Sequence, residues 1–92
     1  METVALPIET AMEFLKENER HYKSDAKPLF AIGIQINGEN FTELCGAAVV
    51  GTRNDEVELC HIYSSGEYHG YTILYGAVWR ACKAMGYKKM IL

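Results

Sequence analysis

The stretch VELCHIYSSGEYHGYTILYGAVWRACKAMGYKKMIL, residues 57–92, decides the fold. Val57–Tyr63 reads as a strand. At a period of two, Val57, Leu59 and His61 are expected on one face and Glu58, Cys60 and Ile62 on the other. Ser64–Gly70 (SSGEYHG) holds two glycines and two serines and reads as a loop. From Tyr71 to Met85 the spacing predicts a helix whose buried stripe is Leu74, Ala77, Val78, Ala81, Ala84 and Met85. Arg80 and Lys83 sit near its C-terminal end, where cations suit the helix dipole. Gly86 is a natural residue to follow the helix. Tyr87–Leu92 (YKKMIL) is then a final strand. A strand, a helix and a second strand in this order imply a right-handed crossover that makes the two strands parallel neighbours.

Upstream of this unit the pattern is mostly antiparallel. Glu2–Leu6 forms a short strand. Pro7 suits a first helical position, because its missing N–H would be unpaired there anyway. Ile8, Ala11, Met12 and Leu15 recur at helical spacing opposite Glu9, Glu13, Lys16 and Glu17, and the helix is expected to end near Arg20. Polar His21–Pro28 reads as a loop. Leu29–Ile36 is nearly continuous in apolar and β-branched residues and reads as a strand. Asn37-Gly38 is the strongest short hairpin signal in the chain. Phe41–Val50 is the return strand, with Gly46 a candidate bulge, and Gly51–Glu56 a second turn. The expected order is β-α-β-β-β-α-β: one α/β (α+β) domain over residues 1–92, with a mixed sheet.

Composition narrows the function classes. The 92 residues are 49% hydrophobic and 23% charged, enough to bury a core and too apolar for a disordered chain. The net charge of -3 argues against a general nucleic-acid binder. The charge is unevenly placed: residues 1–60 carry eleven acidic and five basic side chains, residues 61–92 one acidic and four basic. The basic end suits an anionic ligand or an acidic partner, or is a solvated face. Cys45, Cys60 and Cys82 match no disulfide or zinc spacing and sit in apolar runs, as free thiols do in a reducing cytosol. Cys60-His61 would alternate across a strand, so no metal centre is expected. Neither a leader nor a membrane span is expected. A soluble, cytoplasmic protein is therefore anticipated.

The loop that opens the second helix is the first candidate site. Helix N-termini present unpaired N–H groups and a positive dipole end, and Gly66 and Gly70 let a phosphate approach the backbone. His61 is a candidate base, or a simply hydrogen-bonded strand histidine; Tyr63 and Tyr68 are candidate proton donors, or packing residues. Tyr71, Tyr75 and Trp79 recur along one side of the helix and, if exposed, mark an interface, to which Tyr87 is added. The final strand offers an open edge, so a homodimer is expected through it or through the aromatic stripe.

The chain also resembles the GNAT-type N-acetyltransferases, in particular a phage- and bacteria-associated GNAT-like subfamily. The resemblance rests on His21-Tyr22, Phe30-Ala31-Ile32-Gly33, Cys45–Gly51, Val57-Glu58-Leu59 and Leu74-Tyr75-Gly76-Ala77. It continues in Trp79-Arg80-Ala81 and Lys83–Tyr87. It implies acetyl-CoA as cofactor, held where the strand ending at Tyr63-Ser64 and the final strand splay apart. The pyrophosphate would sit on the backbone of Glu67, Tyr68, His69, Gly70, Tyr71 and Thr72. It also implies Glu58 as a general base beside His61 and Tyr63, and acetyl transfer to an amine. Two features depart from the family. In Glu67–Thr72 only the central glycine of the family's Gln/Arg-x-x-Gly-x-Gly/Ala signature is kept. The match also lacks the family's C-terminal helix and hairpin. A second reading therefore stands beside the enzyme: a non-catalytic binding protein on a truncated GNAT scaffold, such as a phage-encoded inhibitor of a bacterial defence complex.

Overall fold

The computed structural model describes residues 2–18, 26–40, 42–65 and 70–91. In chain order the elements are β1 (Glu2–Leu6), α1 (Ile8–Glu17), β2 (Lys27–Asn37), β3 (Thr42–Arg53), β4 (Glu56–Ser64), α2 (Gly70–Ala84) and β5 (Met90–Ile91). The chain is an α+β structure in which two helices flank a mixed five-stranded sheet of order β1-β2-β3-β4-β5. The first three pairings are antiparallel. β4 and β5 run parallel, meeting only at Val57 with Met90 and Glu58 with Ile91.

The helices lie on opposite faces. Ala11 and Leu15 of α1 pack on Ala31, Ala47 and Val49, with Leu6, Phe14 and Tyr63 around them. Leu74, Val78 and Cys82 of α2 pack on Ile34, Ala48, Val50 and Val57, joined by Leu59, Ile62, Trp79 and Tyr87. Neighbouring β-strand residues thus serve different cores, which is why Ala47–Val50 is buried without a break. No described helix is long and apolar enough to cross a membrane.

Several boundaries differ from the sequence expectation, each for a local reason. Pro7 is the N-cap rather than the first helical residue; its ψ of 141° continues β1, and its carbonyl accepts the Ala11 N–H. α1 ends at Glu17, short of Arg20, because Asn18 closes it: its backbone and Nδ2 groups both donate to the Phe14 carbonyl. Residues 19–25, with most of the expected loop, lie outside the described residues.

The Asn37-Gly38 hairpin is not a two-residue turn. Asn37 pairs with Thr42 as a ladder residue, and its side chain donates to Glu2 Oε1 and accepts from Thr42 Oγ1, both at 2.9 Å. It therefore clamps the ends of β1, β2 and β3. Hydrogen bonds from Asn37 and then Gln35 hold the Glu2 carboxyl below the usual carboxylate range. The tight turn is instead Asn54-Asp55, where β3 continues through the expected turn to Arg53, paired with Glu56. Both turn residues have positive φ, 51° and 63°, as a primed two-residue hairpin needs.

The second helix ends as its glycine predicts and buries a different stripe. Gly86, at φ 97°, donates to the Lys83 carbonyl, and Tyr87 N–H donates to the Cys82 carbonyl, the paired bonds of a Schellman motif. This turn carries Tyr87 into the core and leaves Ala84 exposed and Met85 half exposed, at 50%. Cys82 takes the buried place expected of Met85. Tyr87 precedes the last strand, which is only Met90–Ile91; Leu92 lies outside the described residues.

Candidate functional site

Three single-residue bulges set the geometry of the central strands. Leu29 is the extra residue of β2 opposite β3; Cys45 is the extra residue of β3 opposite β2, one position before the expected Gly46; Cys60 is the extra residue of β4 opposite β3. An extra residue reverses the facing of everything beyond it.

The Cys60 bulge overturns the expected facing of β4. Val57 and Leu59 belong to the α2-side core, but so does Ile62, which pairs with Ala48. His61 pairs with Val49 and Tyr63 with Ala47, both of the α1-side core. Directly opposed residues share a face, so His61 lies on the α1 side, away from Val57 and Leu59. Glu58, which alternates with Val57 and Leu59, falls on that side too. The three sequence-predicted catalytic residues thus share one face, which straight alternation would not have allowed.

Sharing a face does not bring all three together. At about 3.3 Å per residue, Glu58 and Tyr63 stand roughly 15 Å apart, whereas His61 and Tyr63 are next neighbours on the face. Glu58 sits at the hairpin end, its Oε2 3.6 Å from Arg53 Nη2. To act as a base it would have to exchange that guanidinium for a substrate amine. Tyr63 is half-buried against Phe14, ring centroids 6.0 Å apart and tilted by 55°. This contact locates the phenol between α1 and the end of β4.

The end of β4 is also where α2 begins. Ser64 is buried on the α2 side, and Gly70 packs directly on it: a Cβ at Gly70 would overlap Ser64 Oγ and lie 2.7 Å from Ser64 Cβ. The central glycine of the loop signature is therefore demanded by helix-on-strand packing, whatever the loop binds. One residue on, Ser65 donates from its N–H and its hydroxyl to the Cys45 carbonyl, at 3.0 and 3.3 Å. The Cys45 bulge supplies that carbonyl and so fixes where the chain leaves the sheet. Glu67, Tyr68 and His69, predicted to hold a diphosphate, lie outside the described residues with Gly66. Tyr71 and Thr72 are exposed on the first turn of α2.

Beyond Glu58 the outer edge of β4 has no strand partner among the described residues, because β5 pairs only with Val57 and Glu58. Leu59–Ser64 thus presents an open edge running up to the start of α2. Of the aromatic stripe, Tyr71 and Tyr75 are exposed, at 38% and 39%, while Trp79 is half-buried and packs on the core. Tyr87, expected with them at an interface, belongs to the core margin instead.

Two concavities were not legible in the sequence. A cleft of about 220 Å³ between β1 and α2 is lined by Thr3, Val4, Ala5, Ile32, Ala77 and Arg80. A hollow of about 300 Å³ at the far end of α2 is lined by Trp79, Lys88, Lys89 and Met90. Among the described residues, no three His, Cys, Asp or Glu side chains come together to hold a metal. Burial pushes the thiols of Cys45 and Cys82 up, so both are poor nucleophiles. Compared with protein-family models, curated proteins and solved structures, the chain matches none.

Proposed function

We propose that the protein is a GNAT-like acyl-CoA binder that transfers acetyl from acetyl-CoA to an amine. One observation carries this reading: the parallel β4–β5 pairing stops at Glu58, leaving the Leu59–Ser64 edge open where α2 begins. An extended amide-bearing arm would find backbone donors and acceptors along that edge, as an added strand does. Its phosphates would meet the first turn of α2, where Gly70, Tyr71 and Thr72 present backbone N–H groups and the positive dipole end. That turn contains no acidic residue to repel them.

Acetyl-CoA when bound supplies the activated acetyl group; this chain supplies position and proton handling. His61 would accept the proton that the amine loses as its nitrogen bonds the acetyl carbon and the thioester C–S bond breaks, and the hydroxyl of Tyr63, whose ring packs on Phe14, would protonate the departing thiolate. Glu58 stays with Arg53 and keeps the hairpin end closed.

Calorimetric titration with acetyl-CoA tests the proposal, with Tyr71→Glu as the probe. A glutamate in the first turn favours the helix itself, yet it opposes a diphosphate. We expect saturable binding that Tyr71→Glu weakens by about tenfold or more, ~1.4 kcal/mol, with no loss of thermal stability. No heat at millimolar acetyl-CoA, or equal binding by the variant, removes the reading.

The exposed Tyr71 and Tyr75 and the occupied Glu58 favour a second reading, a partner-binding scaffold without catalysis. Its signature is a function that survives Glu58→Gln and His61→Ala together, where acetyl transfer would be lost with His61.

A further inference from the structure

We infer that the hollow at the C-terminal end of α2 binds a small organic anion, a carboxylate or phosphate monoester on a flat or short apolar body. The floor and the rim have different chemistry. Trp79 and Met90 give an apolar surface, and Lys88 and Lys89 border it within a cavity of about 300 Å³, the lower end of the range for ligand pockets. Lys83 is not part of that lining but stands close to it, its Nζ 6.0 Å from the centre of the Trp79 ring.

These cations are not all neutralised. Lys89 Nζ lies 3.7 Å from Glu56 Oε1. No carboxylate among the described residues lies within ion-pair distance of Lys83 or Lys88. The C-terminal end of a helix carries roughly half a negative charge, which opposes an anion. Here the Schellman turn spends the carbonyls of Cys82 and Lys83 on the N–H groups of Tyr87 and Gly86, and the ammoniums of Lys83 and Lys88, which pair with no described carboxylate, outweigh the remainder. The same turn forms the hollow: it directs Tyr87 into the core and leaves Lys88-Lys89 bordering the open side of Trp79.

This site does not depend on the acyl-CoA reading. Trp79, its lining residue on α2, stands nine residues from Gly70, about 14 Å along the helix axis. An apolar body against the indole and an anion between Lys83 and Lys88 are recognised together, so neither half of the ligand suffices alone.

Trp79 is the only tryptophan, so its fluorescence reports the site directly. The full chain is titrated with phenyl phosphate and with benzoate, and in parallel with neutral benzyl alcohol and with inorganic phosphate. We expect a saturable emission change with both aryl anions, at least about tenfold weaker for each half-ligand. Lys83→Ala with Lys88→Ala weakens phenyl phosphate by about tenfold at unchanged far-ultraviolet circular dichroism; both lysines are exposed, so the variant keeps its core. Tyr71→Glu leaves the titration unaltered, which separates this site from one for acetyl-CoA. The inference is overturned by benzyl alcohol or inorganic phosphate binding as tightly as phenyl phosphate. It is equally overturned by the double variant binding like the parent, or by no saturable response.

Discussion

Gly70 illustrates how a residue in a signature can be required for packing. Its hydrogen points at Ser64, and any side chain there must displace the serine or the helix. Gly70→Ala is expected to destabilise the fold by roughly 1–3 kcal/mol, the usual cost of overpacking. Ser64→Gly in the same chain removes both clashing atoms and should recover most of the loss in a denaturant titration. A Gly70→Ala defect that persists in the double variant would instead point to the backbone conformation of the helix start. The cysteines also divide by environment. Cys82 is fully buried and Cys45 nearly so, both with thiols made less acidic by burial, whereas Cys60 is part-exposed on its bulge. A thiol reagent at neutral pH should label Cys60 first, and Cys82 only as fast as the chain unfolds, as read by mass spectrometry of the native protein.

At the scale of elements, the two hairpins reverse the order of strength that their turn residues suggest. Asn37-Gly38 has the sequence of a primed two-residue turn, yet Asn37 is held in the ladder by Glu2 and Thr42, its own pairing partner. Asn54-Asp55 makes the tight turn with two non-glycine residues in the left-handed region. Asp55→Gly should therefore stabilise the protein by about 0.5–1 kcal/mol in thermal or denaturant unfolding, because glycine adopts that backbone without a Cβ penalty. A loss of stability would mean that the Asp55 side chain contributes more than the strain it carries. The β4 strand teaches a similar lesson. Its alternation pattern predicts one facing for His61, and the Cys60 bulge gives it the other. Nothing in Val57–Tyr63 marks the bulge, since bulges arise from how a strand pairs with its neighbour.

At the scale of the molecule, the large apolar side chains exposed among the described residues lie on the α2 and β5 side. Tyr71, Tyr75 and Ile91 are exposed there, beside a β4 edge with no described strand partner. Such an edge recruits another strand or a ligand arm. If a second copy covers it, light scattering at micromolar concentration gives a dimer mass, and Tyr75→Glu returns it to the monomer. A monomeric mass in the unsubstituted chain leaves the edge to a ligand.

What could be read from residue order was whatever neighbours along the chain enforce. The strand and helix segments, the glycine stop of α2 and its Leu74–Val78 stripe depend on period, caps and local backbone freedom, and all are legible within a window of a dozen residues. The side of the sheet on which His61 lies, the burial of Cys82 in place of Met85, the clamp at Asn37 and the hollow beside Trp79 were not legible. The first three depend on partners on other elements, Val49, the core under α2 and Glu2, and the hollow depends on Lys88 folding back past a helix end. Local order restricts the backbone of each segment, but facing and cavities are properties of contact, and contact between remote segments exists only once the sheet has assembled.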